Sequence, residues 1–128
     1  MFEYRLKVRG YELDSYGHVN NAVYLNYFEQ TRWEILQNQN LIEIFRKEKL
    51  LMVVTELKIR YSQEAKVFDP LLIKTRMLLE GPYITFKHRI INENTGLKIA
   101  TGEVKTLVID KDRTPCDIPE EFHSLFDH

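Results

Sequence analysis

The chain has 128 residues, 44% hydrophobic and 29% charged, with a formal net charge of -1. Length and composition suit one soluble domain with a packed core, and the balanced charge gives no general attraction to nucleic acid or an anionic membrane. No apolar run approaches the roughly 20 residues of a membrane span, the N-terminal residues carry no secretory pattern, and the single cysteine, Cys116, has no internal partner, so a cytoplasmic protein is expected.

Residues 2–11 alternate, with Phe2, Tyr4, Leu6 and Val8 on one side and Glu3, Arg5, Lys7 and Arg9 on the other. Period two with one charged face predicts a half-buried strand, which Gly10 ends or bends. A polar loop over 12–20 follows. Asn20 and Asn21, both good helix starters, open a helix predicted over about 21–39. Its apolar stripe is Tyr24, Leu25, Phe28, Ile35 and Leu36, at helical spacing. Tyr27 and Trp33 widen that surface, so the helix is expected to be covered over most of its length. A short second helix is predicted over 41–48.

Four strands are predicted next, over 50–61, 71–80, 83–92 and 97–110. The second places Leu71, Ile73, Thr75, Met77 and Leu79 on one face, and the third turns Ile84, Phe86, His88 and Ile90 inward. Gly81-Pro82 and the run from Asn92 to Gly96 are turn signals. Gly102 in mid-strand signals a bulge or a close backbone approach. Pro119 opens a short terminal helix over 119–126. Strand, long helix and four strands with short later connections make an α+β layout with an antiparallel sheet.

The chemistry concentrates between Asp14 and Glu29. Asp14 sits in a glycine-containing loop, and Asn21 follows seven residues later at the expected helix start. Free N–H groups and the positive end of the helix dipole there face back toward the loop. A carboxylate opposite such a terminus suits attack on a carbonyl. Gly17 allows close backbone approach. Each residue also has a structural reading: Asp14 as an Asx-turn, Asn20 and Asn21 as caps, and His18 as a locally bonded loop residue without a Ser or Cys partner. Glu29, on the helix beside Phe28, is a second-choice acid, either buried with a raised pKa or paired with Arg32 or Arg5. The four histidines, His18, His88, His123 and His128, show no ligand spacing, so no metal is expected. Lys58, Arg60, Lys66, Lys87 and Arg89 make the strand exteriors basic, either as a solvated face or as a site for phosphates.

The stretch from Asp14 to Glu29, with its pattern D-x-x-G-x-V-x-x-x-x-Y-x-x-Y-x-E placed between a first strand and a long helix, resembles the signature of the hotdog-fold thioesterases of the 4-hydroxybenzoyl-CoA thioesterase type. The resemblance covers nearly the whole chain and extends to bacterial acyl-CoA thioesterases and short plant-type acyl-ACP thioesterases. It implies a five-stranded antiparallel sheet wrapped around one long helix. It also implies a homodimer, often assembled into a homotetramer, with no cofactor. Asp14 would be the nucleophile or general base, and the backbone N–H of Asn21 would polarise the thioester carbonyl. Many bacterial relatives carry His at that position; here only the backbone role survives. In other hotdog branches the acid lies near the place of Glu29. The substrate would be an acyl-CoA or acyl-ACP, with His18 among the substrate-binding residues, the acyl chain among Tyr24, Phe28 and aliphatic residues of the sheet, and the CoA phosphates near Arg60, Lys87 and Arg89. The alternatives are a hotdog dehydratase or hydratase using His18 and Glu29, and a non-catalytic acyl-CoA-binding module.

Overall fold

The alternation read in the sequence becomes five antiparallel strands: β1 (Phe2–Lys7), β2 (Leu51–Tyr61), β3 (Pro70–Glu80), β4 (Tyr83–Asn92) and β5 (Lys98–Ile109), in the sheet order β1-β3-β4-β5-β2. The computed structural model describes residues 1–127; His128 lies outside them. Two helices follow β1, α1 (Val23–Asn38) and α2 (Leu41–Glu48), and a terminal 3-10 turn spans Glu120–Leu125.

Helix α1 lies on the sheet face formed by rows of inward residues. In the middle row, Thr75 pairs with His88, His88 with Gly102 and Gly102 with Ile59. Phe28 presses into that row. A Cβ built on Gly102 would stand 2.3 Å from Phe28 Cε2, so the glycine serves close approach. Strand register is continuous there and shifts instead near Thr55 of β2 and at Ile90/Ile91 of β4. The Phe28 ring stacks on the His88 imidazole with centroids 4.7 Å apart. Tyr24, Tyr27 and Phe28 pack on Leu71, Ile73, Ile90 and Ala100. Ile35 and Leu36 pack on Met77, Ile84, Phe86 and Val108, closed off by Leu41 and Phe122.

Three expectations for the helix are corrected. It begins at Val23, two residues late. Asn20 Oδ1 accepts the Ala22 N–H (2.9 Å) and the Asn20 carbonyl accepts the Val23 N–H (2.8 Å), so a turn built on the asparagine precedes the first helical residue. Leu25 is 36% and Trp33 53% exposed, while Tyr27 and Thr31 are buried. The sheet therefore covers only one side of α1. Glu29 is exposed rather than buried, and Arg5 pairs with Glu93 at 3.2 Å.

Strand β2 forms one edge of the sheet, pairing only with β5. Leu51, Val54, Leu57 and Tyr61 on it are all exposed. Together with Leu25 and Trp33 they leave an apolar strip along α1 and β2. Its clefts measure about 330 Å³ and 120 Å³ and share Glu29, Arg32 and Val54.

Candidate active site

Residues 12–20 fold back on themselves. The Asn20 N–H donates to the Glu12 carbonyl (2.9 Å), Leu13 bridges Val19, and the Asp14 N–H donates to the His18 carbonyl (2.8 Å). Gly17 turns the tip at φ +79 with open space around it, so its use is conformational and not a close contact. The half-buried Asp14 accepts N–H bonds from Tyr16 (2.9 Å) and His18 (3.3 Å), both at Oδ1. Among the described residues no donor meets Oδ2. The Asx-turn reading and the chemical reading thus coexist: one oxygen fixes the turn and the other is available.

The peptides on either side of Asn21 are both fixed. The Asn20 carbonyl is held by Val23, so in a trans planar unit the Asn21 N–H points the opposite way, out of the helix. The next peptide is held at both ends: its carbonyl, that of Asn21, accepts the Tyr61 hydroxyl (3.1 Å), and its N–H goes to Asn20. Among the described residues nothing accepts the Asn21 N–H, and Asn21 is exposed.

Four further residues hold this unit, none of them singled out by the sequence as part of a site. Glu12 is buried; it accepts the Tyr27 hydroxyl (2.8 Å) and the Arg9 N–H (2.8 Å) and pairs with the Arg9 guanidinium at 3.5 Å. This ties the loop to α1. Burial, with the Glu12 carboxylate, drives the Tyr27 phenol well above its ordinary range. Glu64 meets His18 Nε2 at 3.0 Å, and the Val19 N–H donates to the Ala65 carbonyl (2.9 Å). Tyr61 is the fourth. The recoverable signal was for Glu12 alone, a carboxylate three residues after Arg9 in the spacing of a capping box. Burial pushes the Tyr24 phenol up to about 12, with the charges of Glu64 and Asp14 adding to it.

The remaining candidates divide. His18 stands beside Asp14 but turns its ring to Glu64. Tyr24 belongs to the core; Phe28, also core, borders the smaller cleft. Glu29 lies with Arg32 in both clefts, on the β2 side of α1. Burial lowers the Arg32 pKa, and among the described residues Arg32 Nη1 and His88 Nε2 are buried without partners. Arg60, Lys87 and Arg89 gather on the opposite, outer face of the sheet. Among the described residues no three of the His, Cys, Asp and Glu side chains converge as metal ligands.

A family model described as the thioesterase-like superfamily matches residues 8–126. Long-chain acyl-CoA thioesterase FadM of Escherichia coli strain K12 is 34% identical over 107 residues, covering 83% of this chain and 81% of that protein. The chloroplastic acyl-acyl carrier protein thioesterase ATL3 of Arabidopsis thaliana is 33% identical over 129 residues, covering 98% of this chain and 67% of that one. The crystal structure of the probable thioesterase YbaW from Escherichia coli superposes with a TM-score of 0.87 at 30% identity, covering 97% of this chain and 95% of that one. A sheet of this order around a central helix is the architecture of the hotdog thioester hydrolases. The chain belongs to the thioesterase-like superfamily and is a thioester hydrolase.

Proposed function

We propose that the chain hydrolyses acyl-CoA thioesters to free acid and thiol, with Asp14 as nucleophile or general base and the Asn21 N–H as oxyanion donor. The observation that carries this reading is the pairing of a carboxylate with one available oxygen and a fixed, unoccupied N–H at a helix start. The thioester oxygen docks on Asn21, where a single preorganised donor is worth about 3 kcal/mol to the transition state. Asp14 Oδ2 attacks the carbonyl carbon to give a mixed anhydride that water then opens, or takes a proton from the attacking water. The C–S bond breaks and the thiol leaves as a thiolate, a good leaving group with a pKa near 8.5. The similarity to FadM supports CoA as the carrier.

The acyl chain lies in the apolar cleft between α1 and β2, over Leu36, Phe45 and Met52, with Phe28 bordering its neck. Arg60, Lys87 and Arg89 receive the CoA phosphates. A second copy roofs the cleft by pairing along the open β2 edge, since a long exposed edge with apolar side chains invites another strand. A hydratase would need His18 and Glu29 acting together; His18 engages Glu64, and Glu29 points to the β2 side.

The test is thiol release from a panel of acyl-CoAs by wild type and Asp14→Asn. Asparagine keeps the Oδ1 acceptor that holds the turn, so the variant folds. Its turnover should fall by about 10²–10⁴-fold, the range for loss of a positioned acid or base. Turnover within tenfold of wild type removes Asp14 from the mechanism.

A further inference from the structure

The cleft assigned to the acyl chain ends against α2. Its narrow part is lined from α1 by Leu25 and Phe28 and its wide part by Trp33 and Leu36, while β2 supplies Leu57 to the first and Leu51 and Met52 to the second. Both elements thus order the cleft the same way, from the helix start, where Tyr61 holds the Asn21 carbonyl, toward α2. The polar groups at the junction leave the path open: Glu29 is exposed, and the Arg32 guanidinium lies over the Phe86 ring, 5.9 Å from its centroid. Ile42 and Phe45 of α2 then stand across the far end. Behind Phe45 is Phe122, fully buried and outside the cleft lining, with the two ring centroids 5.5 Å apart.

The wall is fixed from both sides. The Phe45 carbonyl accepts the Leu50 N–H (2.8 Å), which ties α2 to the start of β2. The turns into and out of α2 pass through Asn40 at φ 59 and Lys49 at φ 55, a left-handed conformation uncommon outside glycine. The distance to the wall follows from the two lining elements. From Val23 to Leu36 α1 rises about 20 Å at roughly 1.5 Å per residue, and β2 covers about 20 Å from Leu57 to Leu51 at roughly 3.4 Å per residue. An extended residue spans about 3.5 Å over its three backbone bonds, so each single bond advances about 1.2 Å and a straight acyl chain of about 16 carbons fills that length.

We infer that Phe45, backed by Phe122, is the end wall that sets the longest acyl chain the site accepts, at about 16 carbons. This deepens the hydrolase reading and rests on its placement of the acyl chain between α1 and β2. Each methylene that enters the cleft leaves water and strengthens binding by about fourfold. A carbon beyond the wall has to push the Phe45 ring into Phe122, where the core is already filled, so the gain stops there. Ile42, beside Phe45 at the same end, sets the width of the last part of the path.

The test is binding of S-alkyl-CoA thioethers, which cannot be hydrolysed, in a series of increasing alkyl length, measured by calorimetry below micelle-forming concentrations. The CoA part is constant, so only the chain varies. For wild type, affinity should rise about fourfold per methylene and stop rising near about 16 carbons. In Phe45→Ala the wall recedes to Phe122, 5.5 Å further on, so the break should move to chains longer by about four carbons. In Ile42→Trp, which fills the end, the break should move to shorter chains. The readout is the length at which the break falls, which a uniform loss of affinity or stability does not move. Ile42→Trp adds volume and removes no core packing, so it decides alone if Phe45→Ala does not fold. A break that stays at one length in every folded variant, a wild-type affinity that climbs past about 20 carbons without a break, or an affinity independent of length overturns the inference. Hydrolysis of acyl-CoAs of the same lengths separates the two readings: shifted breaks without any cleavage would sink the hydrolase mechanism and leave the wall standing.

Discussion

Replacing Gly102 with alanine tests how tightly α1 is seated on the sheet. The added methyl would lie 2.3, 2.7 and 2.9 Å from three carbons of the Phe28 ring. Carbon contacts settle near 3.5–4.0 Å, so the ring or the helix must move by about 1 Å. The ring has little room, because it is fully buried and stacked on His88. Overpacking of this kind costs about 1–3 kcal/mol, and replacing a strand glycine by alanine returns about 0.5–1 kcal/mol of that. The net loss lies between about 0 and 2.5 kcal/mol, centred near 1.3 kcal/mol. For 128 residues, at roughly 2.1 cal/mol/K of unfolding entropy per residue, the central value lowers Tm by about 5 °C.

Thermal melting of Gly102→Ala, Phe28→Leu and the double variant at fixed protein concentration reads this out. Leucine lacks the outer ring carbons that the methyl would strike. The double variant should therefore be more stable than the sum of the two single losses, with a coupling of about 0.5–3 kcal/mol. The same displacement reaches Asn21 through the first two turns of α1, so kcat of Gly102→Ala should fall as well. A Gly102→Ala protein that melts at or above wild type, or strict additivity in the cycle, refutes close packing of Phe28 on the strand backbone.

Asn21→Ala keeps the backbone donor and should retain kcat within a few-fold, whereas Asn20→Ala removes the acceptor of the Ala22 N–H and should cost about 1 kcal/mol of stability together with a drop in kcat; the reverse ranking would make the Asn21 side chain the working group. Glu29→Gln should leave thiol release within about threefold of wild type, since the site works through Asp14; a loss as large as that expected for Asp14→Asn, of order 10² or more, would move the chemistry onto α1. His88, buried and with its pKa lowered to about 3, refuses a proton that the unfolded chain accepts below about 6.5. The folded state then binds fewer protons, so stability is complete above pH 6.5 and is lost progressively as pH falls toward 3. By pH 4.5 this amounts to about 2–3 kcal/mol. Urea midpoints at pH 7 and 4.5 should therefore fall less for His88→Gln than for wild type, and equal falls would contradict the burial argument.

The strands β3, β4 and β5 were legible because α1 and the terminal turn bury one face of β4 and β5 and most of that of β3, so period two survives intact from Leu71 to Met77 and from Ile84 to Ile90, while Leu79, expected on the same face of β3, is exposed beyond it. Strand β2 kept its alternation in sequence but not in burial, because an edge strand has no neighbour to cover Leu57 or Tyr61. The same absence exposes Leu25 and Trp33, whose apolar character reads in a sequence like core. The helix start was misplaced because Asn20 takes the Ala22 N–H two residues on, from a turn ahead of the helix, and an asparagine looks the same in either setting. The buried acid proved to be Glu12 rather than Glu29. What buries it is Tyr27, fifteen residues away, and a partner chosen by tertiary packing leaves no local spacing to read.

The loop and the helix start are held by segments far apart in sequence, and each fixes a different degree of freedom. Glu12, through Tyr27, sets the loop against α1. Ala65 and Glu64, from the connection between β2 and β3, hold the Asp14 turn at Val19 and His18. Tyr61, at the end of β2, holds the peptide that follows the proposed donor. None of these contacts uses Asp14 Oδ2 or the Asn21 N–H, so the two groups assigned to the chemistry are positioned entirely by others. A donor that is ordered without being satisfied retains its full capacity for a developing oxyanion and needs no reorganisation when the charge appears. It also makes the geometry depend on β2, the edge proposed for pairing with a second copy. Flexing that edge would move the Tyr61 hydroxyl and with it the Asn21 peptide. On this reading, assembly along β2 steadies the oxyanion turn as well as roofing the acyl cleft.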